Sequence, residues 1–157
     1  SSPLHTQNMI IPTNAVKLSQ GSLNKTVYVD MVSGGQKIHP LLKFKLENED
    51  FKKALSLSLK RFNLFAEDKA QAQYVLTSEI IDFDIPAVSN DAKVTSIVKY
   101  TLTNQQGIKK EFLINAYYVE EASSIFSRST ERPRIGAEGS IKENIKKFII
   151  ELDKLAI

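Results

Sequence analysis

Alternating apolar and polar positions over Lys25 to Val32, with Val27, Val29 and Met31 set against Tyr28, Asp30 and Val32, predict a β-strand. Ser33-Gly34-Gly35-Gln36 breaks it. The following stretch to Leu46 contains a His39-Pro40 step, which disfavours helix. Phe51, Ala54, Leu55, Ser58, Leu59 and Phe62 then recur at three- and four-residue steps and predict a helix. Asn48 suits its N-cap, Glu49 and Asp50 its first turn, and Asn63 a left-handed C-terminal residue. Three strands rich in Val, Ile, Thr and Tyr follow, over 73–83, 92–103 and 109–119, with turn clusters at 86–91 and 104–107. Ile141, Ile145, Phe148, Ile149, Leu152 and Leu155 line one face of a closing helix. Ser140 to Glu143 offers a capping box for a late start, but the spacing runs back through Glu138, Ile135 and Arg132 and favours a longer helix with Pro133 in its first turn.

The order β-α-β-β-β-α predicts an α+β fold: a mainly antiparallel sheet of about four strands with two helices packed on one face, each burying a single stripe. Residues 1–24 hold one charged residue and little apolar periodicity, which reads as a flexible tether, although Met9, Ile10 and Ile11 could dock locally. Residues 25–157 form the single domain. The two faces of the later strands differ. Val94, Ser96, Val98, Tyr100 and Leu102 share one side with Phe112, Ile114, Ala116 and Tyr118, whereas Leu113, Tyr117 and Val119 lie on the other, so apolar groups occupy both faces.

Composition narrows the chemistry. In 157 residues there is no Cys, which excludes disulfides, thiolate metal sites and a Cys nucleophile from this sequence. The 21 basic and 18 acidic residues leave a net charge of +3, too small and too scattered to imply nucleic acid. No apolar run reaches the roughly 18 residues of a membrane span. Only His5 and His39 carry imidazole, and neither sits in a nucleophile motif. Asp82 and Asp84 would share a face at a strand end, as a hard cation prefers, without the six to eight oxygens calcium needs. Ser33 to Gln36 lacks the Gly-Lys-Ser/Thr ending of a P-loop and reads as a turn. No catalytic, cofactor or metal residue is therefore assigned. The Arg128, Glu131, Arg132, Arg134 and Glu138 cluster suits either internal pairing or a charged rim for a partner. Lys142, Lys146, Lys147 and Lys154 read as a solvated face.

A set of residues distributed from 27 to 152 resembles a family of small proteobacterial envelope lipoproteins. It comprises Val29 and Val32 before Gly34-Gly35, His39-Pro40-Leu41, Asn48, Phe51, Ala54-Leu55, Ser58-Leu59, Tyr74 and Leu76, Val94-Thr95-Ser96, Tyr100-Thr101-Leu102, Glu131-Arg132, Arg134, Ala137 to Ile141, Asn144-Ile145 and Phe148-Ile149. His39 stands where the family has Asn, and Pro133 where it has an apolar residue. Some members carry the name UDP-N-acetylglucosamine acyltransferase; such enzymes are built from hexapeptide repeats, and this chain has no six-residue repeat. The order of elements also looks like that of the amino-terminal part of TolB. The resemblance implies a periplasmic domain anchored to the outer membrane by a lipidated Cys that preceded Ser1; the tether, the sheet and the lack of catalytic motifs add the expectation that it acts without catalysis on an envelope partner or a second copy. An envelope glycolipid transferase or a lipid-carrier accessory protein is the alternative. The surface expected to meet the partner comprises Tyr117 and Tyr118 with Glu131, Arg132, Arg134 and Glu138 as a polar rim.

Overall fold

The computed structural model describes residues 2–19, 26–35, 44–84, 92–120 and 131–155. In chain order the elements are β1 (Ser2–Pro3), β2 (Val27–Ser33), β3 (Phe44–Lys45), α1 (Asn48–Arg61), β4 (Tyr74–Asp84), β5 (Ala92–Asn104), β6 (Lys109–Glu120) and α2 (Glu131–Lys154), with short 3-10 turns at Thr6–Met9 and Lys69–Gln71. Strands β2, β4, β5 and β6 form one sheet in that order, and β1 pairs with β3 apart from it. The α1 crossover returns the chain so that β4 runs parallel to β2, while the two later pairings are antiparallel hairpins.

Each strand turns one row of side chains toward the helices. Val27 and Val29, Leu76 and Ile80, Val94, Val98, Tyr100 and Leu102, and Ile114 and Ala116 are buried there. Phe51, Leu55 and Leu59 of α1 and Ile141, Ile145, Phe148, Ile149 and Leu152 of α2 complete the core on the same face of the sheet. Tyr100 stacks on Phe148 at 4.2 Å between ring centroids, and Phe112 meets Phe148 edge-on. Two register shifts, at Val29/Val32 and at Ile80/Asp82, let a strand bend while keeping Phe83 inside.

The longer α2 is the one observed, beginning at Glu131 with Pro133 in its first turn. Asn63 closes α1 with φ 57°, in the left-handed region, as its side chain allows. Asn48 does not cap α1. It is the first helical residue, and its Oδ1 accepts a hydrogen bond from Gly35 N at 2.8 Å, tying the end of β2 to the start of the helix.

Residues 2–19, which composition reads as a tether, lie along the helices. His5 N and Asn8 Nδ2 donate to the Glu138 carboxylate, Ile11 N donates to Ser58 Oγ, and Ser19 donates to Asp153 near the end of α2. Leu4, Met9 and Ile11 are buried, and the 3-10 turn that carries Met9 meets both α1 and α2. The docking that Met9 and Ile11 permit thus offsets the ordering entropy of a polar segment. Residues 20–24 lie outside the described residues.

Candidate functional site

Four polar side chains sit in the layer between the sheet and α2, fully buried: Ser96, Tyr100, Ser140 and Asn144. Asn144 Nδ2 donates to Ser96 O at 3.2 Å and Ile114 O at 3.1 Å, and Asn144 Oδ1 accepts from Tyr100 Oη at 2.7 Å. Ser140 Oγ donates to Ser96 Oγ at 2.9 Å, and Ser96 Oγ donates to Ser140 O at 3.1 Å. Burial pushes the Tyr100 hydroxyl well above its ordinary pKa, so it stays a hydrogen-bond donor. The group is self-satisfied and closed to solvent. It fixes the register of α2 on the sheet rather than offering a nucleophile.

Other residues that carry the lipoprotein resemblance also serve packing and local geometry. Gly139 lets the ring of Tyr118 close onto α2: a Cβ there would sit 2.5 Å from Tyr118 Cγ. Gly34 has φ +91° and lies against the Ile80 carbonyl, so the turn after β2 requires glycine. The Gly35 N–H, which a phosphate would need, is already given to Asn48. Glu138 is 2% exposed; besides the two N-terminal donors it accepts from Arg134 Nη1 at 3.2 Å, and Arg134 Nη1 also meets His5 Nδ1 at 3.0 Å. Asp82 and Asp84 do share the helix-free face, opposite Ile97 and Thr95, and Asp82 Oδ1 accepts from Phe83 N. Among the described residues no three His, Cys, Asp or Glu cluster to hold a metal, and no helix is long and apolar enough to cross a membrane. His39, Arg128 and the turn 86–91 lie outside the described residues.

The six residues expected at a partner surface fall in two places. Tyr117 stands on the helix-free face and is 56% exposed, while Tyr118 turns under α2 against Gly139. Arg134 and Glu138 face the N-terminal segment on the helix side. Glu131 and Arg132 belong to the first turn of α2. The sheet therefore separates Tyr117 from the charged cluster, because alternate residues of β6 point to opposite faces.

The helix-free face holds the exposed apolar residues. Leu113 and Met31 are each 67% exposed, and Ile81, Tyr117 and Val119 join them. Leu113, Tyr117 and Val119 share this face of β6, with Asn115 between the first two, beside Lys99, Thr95 and Lys93 of β5. Lys93 Nζ lies 4.8 Å from the centre of the Tyr117 ring, and Lys99 pairs with Glu79. At the rim, Leu113, Ile114 and Asn115 border a groove of about 330 Å³ with Lys147, Ile150 and Glu151 of α2. The alternation in β6 announced this face; the groove, lined by residues of β6 and α2 at least 32 positions apart, had no local signal.

No family model and no curated protein matches the chain. Solved structures do resemble it. Protein XCC0632 from Xanthomonas campestris, of the family DUF330, superposes with a TM-score of 0.63 over 94% of this chain and 91% of its own, at 9% identity. PelC from Paraburkholderia phytofirmans, a dodecamer, gives 0.54 over 90% and 96% at 12% identity. A minor lipoprotein from Acinetobacter baumannii gives 0.52 over 83% and 91% at 9% identity. At such identities the likeness is one of fold, and it extends over 83% to 94% of this chain.

Proposed function

We infer that this chain is the folded domain of a bacterial envelope lipoprotein that works by binding rather than by catalysis, through its helix-free face and the β6 rim. The observation that carries this reading is the row Leu113, Tyr117 and Val119, apolar and exposed on a long edge strand. An uncovered apolar row of this kind is held against its solvation cost when something covers it in the working state. The polar residues that carry the lipoprotein resemblance support the reading from the other side. Ser140, Asn144, Glu138 and Asn48 are spent on packing α2, the N-terminal segment and the β2 turn. The fold shared with a minor lipoprotein is the ground for the envelope.

The test is photo-crosslinking in living cells from a reactive residue placed at Leu113. A discrete protein adduct from that position, absent when the reactive residue replaces exposed Lys60 on α1, is the expected result. Equal labelling from both positions would remove the reading.

A further inference from the structure

β6 is a twelve-residue strand at the edge of the sheet. The opposite edge, β2, is already met by 64–66: Val27 N donates to Leu64 O and Ala66 N donates to Val27 O. Among the described residues β6 has no such cover. The Asn115 carbonyl faces the outer rim, where it accepts from Lys147 Nζ at 3.0 Å. Backbone groups alternate in direction along an antiparallel strand, so the N–H and C=O of Leu113 and Tyr117 face outward with those of Asn115.

We propose that β6 pairs with β6 of a second copy of this chain, antiparallel, about a two-fold axis through Asn115, joining two four-stranded sheets into one. This inference rests on the reading of the rim as the binding surface and names its occupant. The sequence of β6 is complementary to itself in that register. Leu113 stands across from Tyr117, Ile114 across from Ala116, Phe112 across from Tyr118, and the position of basic Lys110 across from that of acidic Glu120. Moving the axis by one residue, a register shift of two, loses this match, setting Leu113 against Asn115 in one direction and Phe112 against Glu120 in the other.

The groove beside the edge fits the same symmetry. Lys147 and Glu151 lie one turn apart on α2 at the rim, with Ile150 between them. Pairing replaces the Lys147 bond to Asn115 O with the Asn115 N–H of the second copy, and sends the lysine to Glu151 of the second copy. Lys147 is exposed, so its release costs little.

Because the chain has no Cys, a single introduced thiol reports the contact without background. At a hydrogen-bonded antiparallel pair the Cα atoms lie about 5.5 Å apart, inside the span of a disulfide. Asn115→Cys in the full chain should give a covalent dimer under mild oxidation, whereas Ile108→Cys, exposed in the β5–β6 turn, should not. The unmodified chain should sediment as a dimer at micromolar concentration. Asn115→Pro, which removes an outward N–H that β5 does not use, should weaken the dimer roughly tenfold or more with an unchanged circular dichroism spectrum. Equal crosslinking at 115 and 108, or a dimer or larger assembly that survives Asn115→Pro, overturns the proposal. A monomeric chain overturns self-pairing too; adducts from Leu113 in cells would still stand for a different partner, and their loss alone would remove the underlying reading.

Discussion

Tyr100 on β5 donates its hydroxyl hydrogen to Asn144 Oδ1 on α2 at 2.7 Å, in a layer where both residues have no exposed surface. Removing one member of such a pair leaves the other desolvated and unpartnered. Tyr100→Phe should therefore cost about 1–3 kcal/mol in denaturant unfolding. Asn144→Ala strands the Tyr100 hydroxyl and the carbonyl partners of Nδ2 together, and should cost more than Tyr100→Phe. A double variant that is less destabilised than the sum of the two would show that they act as one unit.

Gly139 and Tyr118 make a steric pair of the opposite kind. With a Cβ 2.5 Å from Tyr118 Cγ, Gly139→Ala must displace the ring, at a cost of about 1–3 kcal/mol despite the better helix propensity of alanine. Tyr118→Ala in the same chain should recover part of that loss, which a thermodynamic cycle measures directly.

Glu138 holds the N-terminal segment by charge. Glu138→Gln keeps an acceptor but loses the ionic component toward Arg134, and a loss of about 1–3 kcal/mol is expected. Hydrogen exchange should speed first at His5 and Asn8, whereas the amides of β5 should change only as global stability changes.

Asp50 is a titration prediction. Burial, with Glu47 and Glu49 adding to it against the attraction of Lys53, raises its carboxyl above the ordinary 3.8, and its Oδ2 has no hydrogen-bond partner among the described residues. A folded pKa above the unfolded one means that the native state binds the proton more readily. The ionised carboxylate is then a burden on stability, felt as pH rises from 3.8 through the raised value and relieved as pH falls. Asp50→Asn should stabilise the chain at neutral pH relative to its effect at acid pH. Parallel stability profiles of the two chains between acid and neutral pH would contradict this.

Much of the architecture was legible in local pattern. Period-two alternation located β4, β5 and β6 within about a residue, and the three- and four-residue spacing placed α1 and α2, since these patterns are direct images of a half-buried face. Asn48 was misread because a capping side chain and a cross-loop acceptor carry the same sequence signal; only the position of Gly35 decides between them. Leu4, Met9 and Ile11 gave no periodic signal, as the groove that receives them is built from helices 37 or more residues further along. The charged cluster near 131–138 was legible as a cluster but not as to its side of the sheet. Its use depended on where His5 and Asn8 fold back, which is a tertiary fact. Tyr117 and Tyr118, adjacent in sequence, needed the sheet to tell them apart.

The measurement that bears most directly on binding through the helix-free face is the cell-envelope adduct formed by a photoreactive residue at Val119, compared between the native chain and one carrying Leu113→Glu with Tyr117→Glu. The two charges sit on exposed positions and should leave the melting temperature nearly unchanged. The account predicts a discrete protein adduct from the native chain and its loss in the doubly charged one. An adduct that persists unchanged with both glutamates in place would contradict it.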